Sequence, residues 1–315
     1  MAIRRRLEQS LAPRTNRAYQ SAANSYQSAC QALNFEPWPA SEAKLITYAT
    51  FAHDCLNLRP NTIDSYVSAL AHKHRLQGWE HPRAGDGLLK LVLDGCRRMD
   101  RDQGVAPRAR QGISGTMLKK IIGRLDLSDF RSARFAAYAA MSYFGAFRAN
   151  ELVSTIAGER CHWEDVTFVM DDGGLTQFVA VRQFVSKTRQ LGPAINIPLP
   201  RIGGVSCPVA LLSRYSAMLP SRVSNAPVFT SQDGLTPYSY AQALEDTRYF
   251  CAGLDIPVNE LGTHSFRIGL ATEAGRLRLP DHIIKTLGRW ESNAFEIYIQ
   301  TDPRDLAYTA ALLAG

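Results

Sequence analysis

The 315-residue sequence contains no run of about 18 apolar residues, the length a membrane-crossing helix requires, so no membrane partner is expected. Its opening, Met1, Ala2 and Ile3 followed by Arg4, Arg5 and Arg6, lacks the apolar stretch of a secretory signal, and an intracellular location is expected. Cysteine is sparse. The six residues Cys30, Cys55, Cys96, Cys161, Cys207 and Cys251 include no CxxC pair, which argues against both a disulfide framework and a zinc site and leaves buried thiols as the better reading. No cluster of carboxylates at metal-ligand spacing is present, which disfavours a metal-dependent nuclease. Internal repeats and low-complexity tracts are also missing.

What is present is ordinary for a folded chain: 45% hydrophobic and 21% charged residues, at a length that suggests two domains. The net charge of +7 is unevenly placed, with 16 Lys and Arg against 10 Asp and Glu in residues 1–110, and 20 against 19 in the rest. A basic domain beside a near-neutral one suits an acidic partner such as nucleic acid, because phosphate contacts release counterions. A solvated basic surface is the plainer alternative. Candidate DNA-contacting residues are Arg14, Arg17, Arg59, Asn61, Lys73, Arg75, Arg108 and Arg110.

Apolar periodicity predicts a mainly α-helical chain with a small antiparallel β-sheet. Tyr19, Ala22, Ala23, Tyr26 and Cys30 recur at helical spacing, Ser41 suits the N-cap of a helix through Phe51, and Arg59-Pro60-Asn61-Thr62 starts another helix. These form a helical domain over residues 1–104. Periodicity is lost between Arg101 and Gln111, and a linker is expected at 105–112, with a second domain at 113–315. There, Ser114 to Leu125 and Phe130 to Phe147 read as helices, and period-two segments at Asp165 to Met170, Gln177 to Val185 and Ile195 to Leu199 read as strands. Helices return from Pro208 onward.

Four places in the second domain carry chemistry. Cleaving a phosphodiester without a metal needs cations on the non-bridging oxygens, an in-line nucleophile and an acid for the leaving oxygen. Arginine, permanently charged and bidentate, suits the clamp. In Gly145-Ala146-Phe147-Arg148-Ala149-Asn150-Glu151, an arginine ends a buried-looking helix and Glu151 follows at a spacing that lets it orient Arg148; a plain surface ion pair is the alternative. Lys187 falls on the turn between two strands, where lysine usually serves solubility but could protonate a leaving 5′-oxygen. His264 and Arg267 sit three apart on a helix, although His72 and Arg75 share that spacing incidentally. Tyr298 is expected on an amphipathic helix following Leu287-Gly288-Arg289-Trp290, a setting in which tyrosine is usually a packing residue.

Taken in order, the arginine, the hairpin lysine, the HxxR pair and the Leu-Gly followed by tyrosine resemble the tyrosine recombinase (phage-type integrase) family over nearly the whole chain. The Thr15–Tyr19 stretch and the Asn61-Thr62-Ile63 helix start resemble its core-binding domain, and residues 113–315 resemble its catalytic domain. His264-Ser265-Phe266-Arg267-Ile268-Gly269 and Leu287-Gly288-Arg289-Trp290 are closest in wording to recombinases of Crypton and DIRS-like eukaryotic mobile elements, which would place the protein in the nucleus. The resemblance implies that Arg148 and Arg267 clamp the scissile phosphate, His264 assists proton transfer, Lys187 is the general acid and Tyr298 the nucleophile. It also implies a homotetramer on two double-stranded DNA sites, with neither metal nor cofactor. One position departs from the pattern. Most members carry His or Trp directly after the Gly, whereas here Arg289 stands there with Trp290 one residue later, so that either Arg289 or a register-shifted Trp290 would meet the phosphate. Two other activities share parts of this pattern: a catalytically silent DNA-binding protein of the same fold and a type IB topoisomerase. Lastly, Leu306, Ala310 and Leu313 after Pro303 predict a short amphipathic helix over 302–313, docking on a neighbouring protomer or on its own domain.

Overall fold

The protein, a computed structural model, is described at residues 6, 10–83, 87–105, 110–153, 161–183 and 193–299. The chain divides into two units, Met1–Pro107 and Arg108–Gly315. The first is helical: α1 (Pro13–Ala32), α2 (Glu42–Asp54), α3 (Pro60–Gln77) and α4 (Gly87–Asp102). Proline occupies the first turn of α1 and of α3, where its missing N–H costs nothing. The Ser41 hydroxyl caps α2 by accepting from Lys44 N at 3.3 Å. Tyr26, Leu45, Tyr48, Ile63, Val67, Leu70, Leu89 and Leu93 fill the core. The periodicity that predicted α1 holds from Ala22 onward, while Tyr19 is half-buried and meets His72 edge-on at 5.2 Å. Helix α4 extends through Asp102, past the point where apolar periodicity ends.

The second unit is built around α6 (Phe130–Phe144), buried throughout residues 132–143. Before it lies α5 (Gly115–Ile122), shorter than expected. After it come α7 (Ala149–Val153) and a three-stranded antiparallel sheet of β1 (Val166–Met170), β2 (Thr176–Gln183) and β3 (Ile195–Pro200). The register pairs Phe168 with Val179 and Val181 with Ile197, which turns Val179, Val181, Ile197 and Leu199 into the core beside Leu118, Phe135, Tyr138, Phe147 and Phe266. The mainly α architecture with one small antiparallel sheet is as expected. Asp165, placed in a strand by the sequence pattern, lies in a short 3₁₀ turn.

The remaining helices are α8 (Pro208–Ala217), α9 (Tyr240–Phe250), α10 (Ser265–Arg276) and α11 (Asp281–Gly288), followed by a 3₁₀ turn, Asn293–Tyr298. Ala271, Ala274, Ile284, Trp290 and Phe295 form a second small cluster between these last elements. Helix α10 is docked closely: Ile113 N donates to Ser265 O at 2.9 Å, and a Cβ added to Gly269 would lie 1.8 Å from Ile113 O. Only glycine allows that approach. Among the described residues, no helix is long and apolar enough to cross a membrane.

Candidate active site

Helix α6 ends at Phe144, three residues before the end expected from sequence. Gly145 caps it, and the chain reverses at Ala146, whose φ of 45° is unusual for a residue with a Cβ. Arg148 therefore stands in the turn before α7 and not at the end of a helix. The Glu151 carboxylate closes this turn, accepting from Arg148 N at 2.9 Å and from Arg148 Nη1 at 2.9 Å. The surface ion pair is thereby replaced by a buried one, with the Glu151 side chain 6% exposed and that of Arg148 15% exposed.

Two more arginines converge on the same turn. Arg267, in the first turn of α10, is buried and donates through Nη1 to Ala146 O and through Nη2 to Gly288 O. Arg289 ends α11 in the left-handed conformation, at φ 57° and ψ 45°. Its Nη1 donates to Gly145 O, and its Nη2 to Ala146 O at 3.1 Å and to Glu151 Oε2 at 2.9 Å, with its guanidinium 5.0 Å from the Phe147 ring centroid. Trp290 folds back over Gly288, where an added Cβ would lie 1.6 Å from the indole. The indole lies 4.4 Å from the Arg267 guanidinium and, tilted by 41°, 5.5 Å from the Tyr298 ring. Tyr298 closes the 3₁₀ turn, not an α-helix; at three residues per turn it shares a face with buried Phe295. Its carbonyl accepts from Thr272 Oγ1 at 3.0 Å, which ties the turn to α10.

The electrostatics follow from this crowding. Burial alone would raise the Glu151 carboxyl, but the guanidiniums of Arg289 and Arg148 outweigh it and hold the group below the usual carboxylate range. Burial, then Arg148 and Arg289, push Arg267 down to about 9, which leaves it charged at neutral pH. Burial, then the Arg267 and Arg148 charges, lower the His264 imidazole, so the neutral ring is favoured at neutral pH. His264 is the N-cap residue of α10. Its Nδ1 and the Nε of Arg267 are buried without a partner among the described residues. Unpartnered buried donors beside an exposed-edged Arg148 are suited to receiving an anion.

No protein-family model matches the chain. In sequence it is 26% identical over 292 residues, 88% of its length and 78% of the relative's, to an integrase/recombinase xerD homolog from Selenomonas ruminantium. In structure it is similar to the Tn1549 transposon integrase (aa 82–397, Y379F) in complex with transposon right end DNA, with a TM-score of 0.64, 12% identity, and 97% of this chain and 95% of that one covered. It is also similar to the XerH site-specific recombinase bound to palindromic difH substrate, at a TM-score of 0.61, 15% identity, and 92% and 76% coverage. A lambda integrase (75–356) dimer bound to a COC′ core site matches at 0.58, with 15% identity over 94% and 91%. The fold is that of the tyrosine recombinases.

On this tyrosine recombinase fold the sequence-predicted residues divide into three groups. Arg148, Glu151, His264, Arg267, Arg289, Trp290 and Tyr298 meet in one cluster. Lys187 and Arg108 lie outside the described residues. Of the other candidates, several have local roles: Arg59 donates to Asp100 at 3.2 Å, Asn61 accepts from Arg97 at 3.4 Å, and Lys73 sits 3.9 Å from the Trp38 ring centroid. Arg110 donates to the carbonyls of Asn259 at 3.1 Å and Leu261 at 2.9 Å, fastening the start of its unit. Arg14, Arg17 and Arg75 are exposed. Sequence reading missed Thr272 and the carbonyls of Gly145, Ala146 and Gly288; main-chain acceptors leave no mark in residue identity.

Proposed function

We propose that the protein is a site-specific DNA recombinase that cleaves and rejoins double-stranded DNA through a 3′-phosphotyrosine at Tyr298. One observation carries this reading: an unbroken path of contacts runs from Tyr298 through Trp290, Arg267, the Ala146 carbonyl, Arg289 and Glu151 to Arg148. A nucleophile candidate and two clamp candidates, drawn from segments about 150 residues apart, thus share one site. That relatives of this fold are named for complexes with DNA supports DNA as the partner.

In this mechanism Arg148 and, through the Nε that has no partner among the described residues, Arg267 bind the two non-bridging oxygens of the scissile phosphate, and neutral His264 donates to one of them. The Tyr298 phenol gives its proton to the acceptor nitrogen of the neutral His264 imidazole as its oxygen attacks phosphorus, forming the phosphotyrosine bond while the bond to the 5′-oxygen breaks, and Lys187 gives that oxygen its proton. A 5′-hydroxyl from the partner duplex then attacks the phosphotyrosine, giving its proton back to Lys187, while Tyr298 leaves with the proton held by His264; exchange of one pair of strands in this way forms a Holliday junction. Four protomers on two sites perform the exchange. The wording of the His264 and Gly288 motifs favours a Crypton- or DIRS-like mobile element as the source and the nucleus as the place of action.

The test is incubation with nicked duplexes carrying candidate element termini, in EDTA, followed by denaturing electrophoresis. A protein–DNA band resistant to denaturant is expected. A strict need for a divalent ion, or an adduct that survives loss of the Tyr298 hydroxyl, would overturn the mechanism.

A further inference from the structure

We infer that Arg289 is a positioning residue that balances the buried Glu151 carboxylate and so leaves Arg148 available to an anion, while Trp290 is the side chain of this turn that lines the space between Arg267 and Tyr298. The inference deepens the recombinase reading and rests on it.

Charge balance is the first argument. Glu151 is a buried carboxylate that accepts from two guanidiniums, Arg148 on one oxygen and Arg289 on the other, with Arg267 close enough to act on it through space. With Arg289 included, the cluster of Arg148, Glu151, Arg267 and Arg289 holds a net charge of two positive. That matches the two negative charges of a phosphodiester at its pentacovalent transition state. Without Arg289, Glu151 would neutralise Arg148 alone, and a single net positive charge would face the phosphate.

Geometry is the second. The left-handed turn at residue 289 directs the side chain into the domain, where it is 8% exposed. Its two Nη groups are taken by Gly145 O, Ala146 O and Glu151 Oε2, and only Nε lacks a partner among the described residues. Both Arg267 and Arg289 spend their Nη groups on carbonyls, but only Arg289 also pairs with a carboxylate. Turning either of its Nη groups to a phosphate would cost these bonds and take from Glu151 one of its two guanidinium partners. Trp290, equally buried, touches the candidate groups themselves: its ring centroid lies 4.4 Å from the Arg267 guanidinium and 5.5 Å from the Tyr298 ring, tilted 41° to it. The residue after Gly288 is therefore a strut, and the one after it lines the site.

A second-site rescue tests this. Adduct formation on a nicked duplex that the wild type cleaves is compared for Arg289→Met, Glu151→Gln and the double variant. Arg289→Met is expected to slow adduct formation by about a hundredfold, and adding Glu151→Gln to bring the rate back to within about tenfold of wild type, because the net charge at the clamp is restored. On non-specific duplex, Arg289→Met should leave the salt dependence of binding unchanged. A slope reduced by about one unit would make Arg289 a phosphate contact and overturn the inference, as would a double variant slower than Arg289→Met. Should Arg289→Met not fold, cleavage by the double variant decides. Thermal unfolding of the same proteins supplies a DNA-free arm: the double variant should melt above Arg289→Met, and strictly additive losses would refute the coupling. An absence of wild-type adduct on every terminus would sink the recombinase reading, while the melting arm would still judge the tie between Arg289 and Glu151.

Discussion

Tyr298 is half-buried at the end of a six-residue 3₁₀ turn, held by its carbonyl to Thr272 and by its ring against Trp290. Neither hold uses the phenolic oxygen. Tyr298→Phe should therefore leave folding and DNA affinity close to wild type and abolish the covalent adduct; persistent trapping would move the nucleophile elsewhere, Tyr308 being the next tyrosine to test. His264 supplies a pH signature. Its folded-state proton affinity is depressed, first by burial and then by Arg267 and Arg148, so the unfolded chain takes up the proton at higher pH than the folded one. The sign follows: stability from this residue is complete above about pH 6.5, the unperturbed histidine value, and declines as pH falls below it. His264→Gln should show a shallower decline of melting temperature between about pH 6.5 and 5 than the wild type. An unchanged slope would mean that the imidazole is free to protonate in the folded protein.

At the scale of elements, what was legible in the sequence was periodic and local. The three strands, the buried α6 and the Ser41 cap follow from alternation, helical spacing and cap chemistry, each contained within about a dozen residues. What was illegible depended on distant partners. Helix α6 stops at Phe144 because Arg267 and Arg289, more than 120 residues away, hold the carbonyls of the turn that follows. The burial of the Glu151 ion pair was illegible for the same reason, since its second arginine stands 138 positions along. The α6–α9 junction is a further case that no motif announced. Buried Asp246 accepts from Arg131 Nε at 2.6 Å, from Arg134 Nη2 at 3.2 Å and from Tyr238 Oη at 2.7 Å. Arg134 is itself buried and lies 4.0 Å from the Tyr238 ring centroid. Asp246→Ala removes the carboxylate and leaves the Arg134 charge uncompensated, and should cost about 3–5 kcal/mol in urea unfolding. The half-exposed Arg131 contributes little of this, so Arg131→Ala should cost under about 1 kcal/mol.

For the whole molecule, the assembly proposed above turns on residues 302–315, which lie outside the described residues. The sequence of this segment predicts an amphipathic helix of about 11 residues, marginal alone, whose Leu306, Ala310 and Leu313 need an apolar dock. The second unit offers apolar side chains of the right kind. Ile283 and Leu287, four apart and so on one face of α11, are exposed, as are Leu277 at the end of α10 and Ile297 on the final 3₁₀ turn. These elements already pack against one another around Trp290 and Phe295. A helix from a neighbouring protomer seated there would link each nucleophile to the next active site; the same helix folded onto its own unit would cover the same side chains without linking anything. Deleting residues 302–315 separates the two. If the segment joins protomers, the truncated chain should bind a single DNA site as the full chain does, yet fail to form paired-site complexes in gel shift or light scattering, and lose recombination with them. A truncated protein that still assembles on two sites would assign the helix to its own domain, and Ile283→Asp with Leu287→Asp in the full chain should then lower melting temperature without changing assembly.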